Sequence, residues 1–262
     1  MARGETSAIP IPSSTELTGI MLRYYIADMI DAAALPHPLS PKVTLLRPHA
    51  ESAPALPYLP GVVVTSCDRA PGLALAVRDT AIGIWWRDPP SVVALLDQAA
   101  DAALPDGRLT VGTDPATIAA AAEELVGTGS LAPPTAQALI ADVTQVLTRF
   151  AAVSRAHHLA IRLEVVSGPA CRRFHQDHVR ARLLCSYRGP GTELAPDTVD
   201  RDAGPAALCL GTGQVAVLRG HRHPLGAGRV LHRSPQGVST PRLLLAADAD
   251  PRPRVARLGA QL

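Results

Sequence analysis

The chain has 262 residues, of which 47% are hydrophobic and 18% are charged, and its formal net charge is +2. This length suits one large domain, and no uninterrupted apolar run of about 18 residues is present that could span a bilayer. The nearly balanced charge and the scattered arginines, with no interleaved aromatic stripe, argue against a nucleic-acid-binding protein.

The first 155 residues are predicted to be rich in helix. Apolar residues recur at helical spacing in four stretches, and two short runs of β-branched or aromatic residues are typical of strands. The predicted helices cover residues 17–34, 91 to about 104, 115–126 and 133 to about 157, and the predicted strands cover residues 61–66 and 81–86.

Residues 156–262 are predicted to be rich in strand. Short apolar runs alternate with turn residues, a pattern that indicates a sandwich or barrel. The predicted strands cover residues 161–166, 172–177, 182–187, 206–210, 214–218, 229–232 and 242–247. The polar stretch 189–202 is predicted to be a long loop near the barrel mouth. We therefore expect an α+β fold in which an α-rich region, 1–155, packs on a β-barrel region, 156–262, as one compact domain overall.

The cysteines and the first residues of the chain indicate the cellular compartment in which we expect the protein. The chain has four cysteines and no CxxC pair, so free thiols, mostly buried, are expected rather than a disulfide framework. They are Cys67, Cys171, Cys185 and Cys209. The first residues lack the apolar core of a secretory signal, which favours a cytoplasmic protein.

His175 and Asp177 form an HxD pair within a predicted strand. Because side chains alternate between the two faces of a strand, both would project to one side and could bind the same ion. Phe174 and Gln176 would then point to the opposite side. This pair is the first half of a candidate metal site.

Two downstream residues extend the pattern. His232 lies on another predicted strand, and Arg242 follows ten residues later. Two histidines and one carboxylate make the facial triad of non-haem iron(II) oxygenases. The order HxD, distal His and then Arg resembles the 2-oxoglutarate-dependent members, whose barrel is a double-stranded β-helix, a jelly-roll or cupin-like fold. That resemblance implies metal ligands at His175, Asp177 and His232, with Arg242 binding the far carboxylate of 2-oxoglutarate.

Other residues compete for a place in the site. His221 and His223 form an HxH between glycine and proline, so we expect them in an exposed loop. His178 would face away from Asp177 if the strand continued. Cys171 shares the alternation face of His175 and is a candidate pocket-lining thiol, although a buried structural cysteine is the simpler interpretation.

Four segments resemble an uncharacterised bacterial family of unknown function whose members often lie beside zinc-homeostasis genes. They are CRRFHQD (171–177), RLLCSYRGPGTE (182–193), VLHRSP (230–235) and PRLLL (241–245). The chain departs from the family pattern at Leu194, where a Trp is usual, and at His178, where an Asn is usual. The segment from Tyr187 fits a pocket rim, in which Tyr187 would donate a hydrogen bond to a bound carboxylate.

These observations lead to a mononuclear iron(II) oxygenase that uses 2-oxoglutarate and O2 to oxidise a small molecule, without a nucleic-acid or membrane partner. Three alternatives stay open. The same triad could work without 2-oxoglutarate, or could hold zinc in a non-catalytic metal-homeostasis protein with Cys171 or His178 as a fourth ligand. The barrel could also be a binding module without metal. The N-terminal half would supply part of the pocket wall or a homodimer contact.

Overall fold

Helices cover one face of a large sheet, and a small sheet lies against the other face. The computed structural model describes residues 59–65, 68, 70–168, 171–238 and 240–250. The helix predicted over residues 17–34 lies outside these ranges, and so does Cys67. None of the helices in these ranges combines the length and the apolar character that a membrane span requires.

Ten strands and four α-helices make up the described chain. The helices are α1 (Leu73–Ala76), α2 (Ser91–Asp97), α3 (Pro115–Gly127) and α4 (Pro133–Ser154). The strands are β1 (Val62–Thr65), β2 (Ile82–Trp85), β3 (Gly107–Gly112), β4 (His158–Val166), β5 (Ala181–Arg188), β6 (Glu193–Pro196), β7 (Leu208–Cys209), β8 (Val215–Arg219), β9 (Val230–Arg233) and β10 (Arg242–Ala249).

The strands form two sheets. The larger has seven strands in the order β1-β2-β8-β5-β10-β4-β3, and the smaller has three in the order β7-β6-β9. A single bridge between His175 and His232 extends the small sheet beyond β9. Strands β1 to β5 all lie in the large sheet, and from β5 onward the chain crosses between the sheets four times, with β6, β7 and β9 in the small sheet and β8 and β10 in the large one. Such crossing between two facing sheets is the winding of a double-stranded β-helix. The α+β prediction with a jelly-roll barrel and helices packed outside it is confirmed.

The strand faces sort the core into two layers. On β5, Leu183, Cys185 and Tyr187 pack toward the helices, whereas Leu184 packs toward the small sheet. This follows from the two-residue period of a strand. Helix α4 completes the first layer with buried apolar residues at helical spacing, namely Leu139, Val143, Val146, Leu147 and Phe150.

Elements from both sides of residue 155 share the large sheet. Strands β1, β2 and β3 come before this position, and β4, β5, β8 and β10 come after it. Strand β3 pairs with β4 through six antiparallel positions, from Gly107 opposite Leu163 to Gly112 opposite His158. The division into an α-rich region, 1–155, and a β-barrel region, 156–262, stays a prediction, and the sheet itself is built from both.

Two predictions about the strands near the candidate site were wrong. Residues 172–177 do not form a strand, since only His175 is paired there. Its neighbour Phe174 instead donates its backbone N–H to the carbonyl of Arg201, at 2.8 Å. The stretch 189–202, predicted as loop, contains β6, whose Leu194 is fully buried and lies opposite His232.

Two further differences concern the first region. Strand β3 was missed, although Leu109 and Val111 alternate there with polar residues, because the run is short and bounded by glycines. Helix α2 ends at Asp97 rather than near Leu104, and a 3₁₀ turn follows at Asp101–Ala103. The intervening Ala99 and Ala100 carry no stop signal, so the sequence pattern could not locate this end.

Candidate metal centre

Three metal-ligating side chains meet at the edge of the small sheet. His175, Asp177 and His232 each offer one ligand atom, and these atoms all lie within 4.8 Å of one another. The paired backbones of His175 and His232 hold their rings side by side, with centroids 4.4 Å apart. The described part of the chain contains no other such group of three. The sequence pattern therefore selected residues that the fold brings together.

The segment that carries His175 and Asp177 is irregular, yet its side chains still separate as alternation predicts. Phe174 is buried against Ala195 and Leu231, and the Gln176 amide donates to the carbonyls of Gly228 and Val230. His175 and Asp177 project elsewhere and approach each other, with Nε2 and Oδ1 3.7 Å apart.

The His175 ring is oriented by its own backbone. Its Nδ1 lies 3.0 Å from the carbonyl oxygen of Arg173. A carbonyl can only accept, so this hydrogen bond places the proton on Nδ1 and leaves the lone pair on Nε2. A hydrogen bond of this kind to the second ring nitrogen is typical of metal-bound histidines. Nε2 is the nitrogen that faces Asp177.

Asp177 and His232 are close without forming an aligned hydrogen bond. His232 Nε2 is 3.0 Å from Asp177 Oδ2, and this buried oxygen has no hydrogen-bond partner among the described residues. Burial alone would raise the pKa of Asp177, but His232 and Arg182 lower it to about 2. Burial lowers the pKa of His232, against the opposing effect of Asp177. At neutral pH both groups are thus in the deprotonated form that binds metal.

These contacts fit a divalent ion. Two ligand atoms bound at right angles to one ion, each at about 2.1 Å, lie about 3 Å apart. The separation of 3.0 Å between His232 Nε2 and Asp177 Oδ2 matches this value. The buried Oδ2 of Asp177 has no hydrogen-bond donor among the described residues, which is costly, and a cation beside it would offset that cost. The residues present therefore suit a metal with two imidazole ligands and one carboxylate.

Arg182 is a site residue that the sequence analysis missed. It lies on β5 and donates from Nη1 to Asp177 Oδ1, at 2.5 Å, and from Nε and Nη2 to the two oxygens of Asp248, at 2.6 and 2.8 Å. Asp248 lies at the opposite end of β10 from Arg242 and pairs with Arg182 instead. Only the register of β5 against β10, which places Arg182 opposite Asp248, reveals this network.

Arg242 lies at the start of β10 and is 2% exposed. It alternates with Leu243 and Leu245, which pack toward the helices, and so faces the space between the two sheets. Its Nη1 donates a hydrogen bond to the carbonyl of Pro190, at 3.2 Å. No described carboxylate pairs with it, and burial lowers its pKa. A buried guanidinium without a charged partner is costly, and an anion beside it would offset that cost.

Tyr187 is not brought to this site, which corrects its predicted role. It lies on the helix-facing side of β5, opposite to the side of Arg182, and its hydroxyl donates to Asp142 on α4 at 2.6 Å. Arg87 donates two hydrogen bonds to the same carboxylate, each at 2.7 Å. Burial also raises the pKa of the neighbouring Cys185 to about 12. Tyr187 belongs to a buried network that joins a helix to the sheet.

The remaining candidates lie outside the three-residue cluster. His178 and His221 are exposed, and their rings stack with centroids 6.5 Å apart. Cys171 and Cys209 are exposed and Cys185 is buried, so the expectation of mostly buried thiols is wrong for the three described cysteines. Neither proposed fourth ligand, Cys171 or His178, is part of the described cluster.

His223 carries a prediction about stability and pH. Burial, helped by Arg219 and Arg180, lowers its pKa to about 4, whereas an unfolded histidine titrates near 6.5. The unfolded state therefore binds the proton first, and we expect stability to fall as the pH decreases from about 6.5 to about 4. In urea titrations at several pH values, His223→Gln should lose less stability over this range than the wild type. The exposed His221→Gln should behave as the wild type does, and an equal slope in all three proteins would contradict the expectation.

The fold and the site together define the class: a double-stranded β-helix protein with a His-Asp-His cluster at the edge of its small sheet. The family described as "Protein of unknown function (DUF1826)" matches residues 72–248, which is more than half of the chain. The protein belongs to this family, in agreement with the resemblance seen in its sequence. A comparison with curated proteins finds no match.

Several solved structures are similar to this one. The dioxygenase for auxin oxidation of rice is 15% identical, with a TM-score of 0.39, over 74% of this chain and 83% of that one. Dioxygenase for auxin oxidation 1 of Arabidopsis thaliana, solved with 2-oxoglutarate, is 10% identical, with a TM-score of 0.40, over 74% and 92%. A prolyl-4-hydroxylase of Pseudomonas putida is 17% identical, with a TM-score of 0.29, over 63% and 95%. At TM-scores this low the likeness carries no weight for the chemistry of this chain.

Proposed function

We propose that the protein is an iron(II)- and 2-oxoglutarate-dependent oxygenase that oxidises a small molecule. The observation that carries the proposal is the cluster of His175, Asp177 and His232. Three ligands of this kind leave coordination positions open, and two imidazoles with one carboxylate are the ligand set of non-haem iron(II) oxygenases. The cofactors we propose are iron(II) and 2-oxoglutarate, with O2 as co-substrate.

Arg242 supports 2-oxoglutarate as the co-substrate. It is buried on the inter-sheet face and has no carboxylate partner among the described residues. Its planar fork suits a carboxylate, which would offset the cost of the buried charge. Ser186, on the neighbouring strand β5, adds a buried hydroxyl that has no described hydrogen-bond partner. Both side chains would offer donors to the far carboxylate of a bound dicarboxylic acid.

Each residue has a role that its contacts support. His175 presents Nε2 to the metal because Arg173 holds its Nδ1 proton. His232 and Asp177 lie on the buried side of the centre, with side chains 8% and 12% exposed, whereas the side chain of His175 is 31% exposed. A small molecule would therefore approach from the His175 side. When bound, the iron would activate O2 so that one oxygen atom is transferred to the substrate while 2-oxoglutarate is oxidised to succinate and carbon dioxide.

Metal analysis tests the proposal. Protein purified without oxygen should contain one equivalent of iron, and 2-oxoglutarate should then produce a weak visible charge-transfer band. His175→Ala should lose the metal and the band, because two ligands bind far more weakly than three. The matched control is His178→Ala, an exposed histidine outside the cluster, which should keep both.

Three outcomes would contradict the proposal or part of it. One equivalent of tightly bound zinc and no band would favour the metal-homeostasis alternative. Iron without a band would leave an oxygenase that does not use 2-oxoglutarate. If His175→Ala retained its metal, His175 would not be a ligand and the proposed site would be wrong.

A further inference from the structure

Arg182 joins two carboxylates from different parts of the fold. Its side chain is 17% exposed, and it makes two hydrogen bonds to Asp248 and one to Asp177 Oδ1. Arg182 and Asp248 face each other across paired strands β5 and β10. Asp177 lies on the irregular segment before β5, where no strand pairing supports it. The backbone carbonyl of Asp177 accepts a hydrogen bond from the N–H of His221, at 2.9 Å. Arg182 connects the carboxylate of this ligand, which lies outside any strand, to the paired strands β5 and β10.

The geometry of the guanidinium explains how this connection constrains Asp177. The group is planar, and two parallel hydrogen bonds to Asp248 fix its plane. The direction of its third donor, Nη1, is then fixed as well. Because Nη1 holds Asp177 Oδ1, rotation of that carboxylate is restricted, and its other oxygen, Oδ2, is the one that lies 3.0 Å from His232 Nε2.

We propose that Arg182 is a positioning residue that reserves Asp177 Oδ1 for itself, so that Asp177 binds the metal through Oδ2 alone. One-oxygen binding leaves the open positions that a co-substrate and O2 need. Asp248 balances the charge of Arg182, so the group of two carboxylates and one guanidinium keeps one negative charge toward the metal. This inference rests on the metal site of the proposed function.

Cobalt(II) alone is a suitable probe, since its visible spectrum reports both binding and coordination. The full chain would be titrated as wild type, Arg182→Ala, Arg182→Lys and Arg180→Ala. The control is Arg180, which lies close to Arg182 in the chain but pairs with Asp250, at 2.8 Å, rather than with Asp177. We expect Arg182→Ala to weaken binding roughly 10- to 100-fold, as loss of a residue that orients a metal ligand does. Arg180→Ala should stay within about twofold of the wild type.

The spectrum at saturation separates positioning from a general loss of structure. Arg182→Ala should shift the visible bands, because Asp177 is then free to use both oxygens. Arg182→Lys should not restore the wild-type spectrum, since one ammonium cannot serve both carboxylates in this geometry. If Arg182→Ala does not fold, Asp248→Asn keeps the side-chain size and should weaken binding roughly threefold to tenfold while shifting the same bands.

The outcomes are distinguishable. No cobalt binding by the wild type would overturn both this inference and the metal site. Tight binding by the wild type, with Arg182→Ala matching Arg180→Ala in affinity and spectrum, would overturn the positioning role alone. Weaker binding with an unchanged spectrum would also count against it, because the mode of Asp177 binding would then not depend on Arg182.

Discussion

Arg242→Met is expected to abolish tight binding of 2-oxoglutarate while leaving the metal in place. The guanidinium is buried and lacks a described carboxylate partner, and we propose that the co-substrate supplies one. Removing one partner of a buried charge pair costs about 2–4 kcal/mol, so the dissociation constant should rise roughly 30- to 1,000-fold. Calorimetric titration of the iron(II) protein with 2-oxoglutarate, in the absence of O2, measures this directly.

The same variant should not destabilise the ligand-free protein. Met keeps much of the apolar volume of the Arg side chain, and it removes a buried charge whose solvation is lost on folding. Denaturant unfolding without ligand should therefore give a free energy at or above the wild-type value. Arg219→Met is the matched control, since Arg219 is also buried in the large sheet but donates to the carbonyls of Val77 and Arg78. Arg219→Met should lower the free energy of unfolding and leave the affinity for 2-oxoglutarate unchanged. An equal loss of affinity in both variants would show that Arg242 has no specific role in binding 2-oxoglutarate.

Asp142→Ala is expected to have the largest effect on stability. The Asp142 carboxylate accepts two hydrogen bonds from Arg87 and one from the hydroxyl of Tyr187, and the side chains of Asp142 and Arg87 are each only 10% exposed. Its removal leaves the Arg87 guanidinium without its counter-ion, although Nε still donates to the carbonyl of Gly213, and leaves the buried Tyr187 hydroxyl without its acceptor. Breaking a buried pair in this way costs about 3–5 kcal/mol, which urea unfolding would measure as a lower free energy.

A second ion pair on α4 provides the comparison. Arg149 binds Asp68 at 2.8 Å, but their side chains are 46% and 26% exposed. Arg149→Ala should therefore cost about 0–1 kcal/mol. The double variant Arg87→Met/Asp142→Leu should recover much of the loss, because a packed apolar pair replaces a buried charged one. Similar losses for Asp142→Ala and Arg149→Ala would show that burial does not distinguish the two pairs.

The candidate metal ligands could be selected from the sequence, although the argument for them was partly wrong. His175 and Asp177 were chosen because a strand would place both on one side, yet residues 172–177 form only one bridge. The side chains of His175 and Asp177 still lie on one side of the segment, because the contacts of Phe174 and Gln176 hold those two side chains on the other side. His232 lies on β9 as predicted.

The roles of Tyr187 and Arg182 could not be assigned in this way. The family-like segment from Tyr187 fits a pocket rim, but the face of a strand that meets the helices depends on how the sheet packs. Arg182 looked like an ordinary strand residue, and its partners Asp177 and Asp248 come from an irregular segment and from a distant strand. Strand pairing over such separations depends on register, which no local pattern encodes.

The sequence by itself therefore determined the α+β class, the period of most strands and helices, and three residues whose chemistry suits a divalent metal. These properties are local, because side-chain alternation and ligand type can be recognised within a few residues. Only the tertiary structure decided that Asp177 is held by Arg182, that Tyr187 faces the helices, and that Arg242 is buried without a described acid partner. Each of these contacts depends on which distant strands pair and which faces become buried. The free energy that favours one pairing over another comes from packing throughout the core, and no short stretch of sequence contains it.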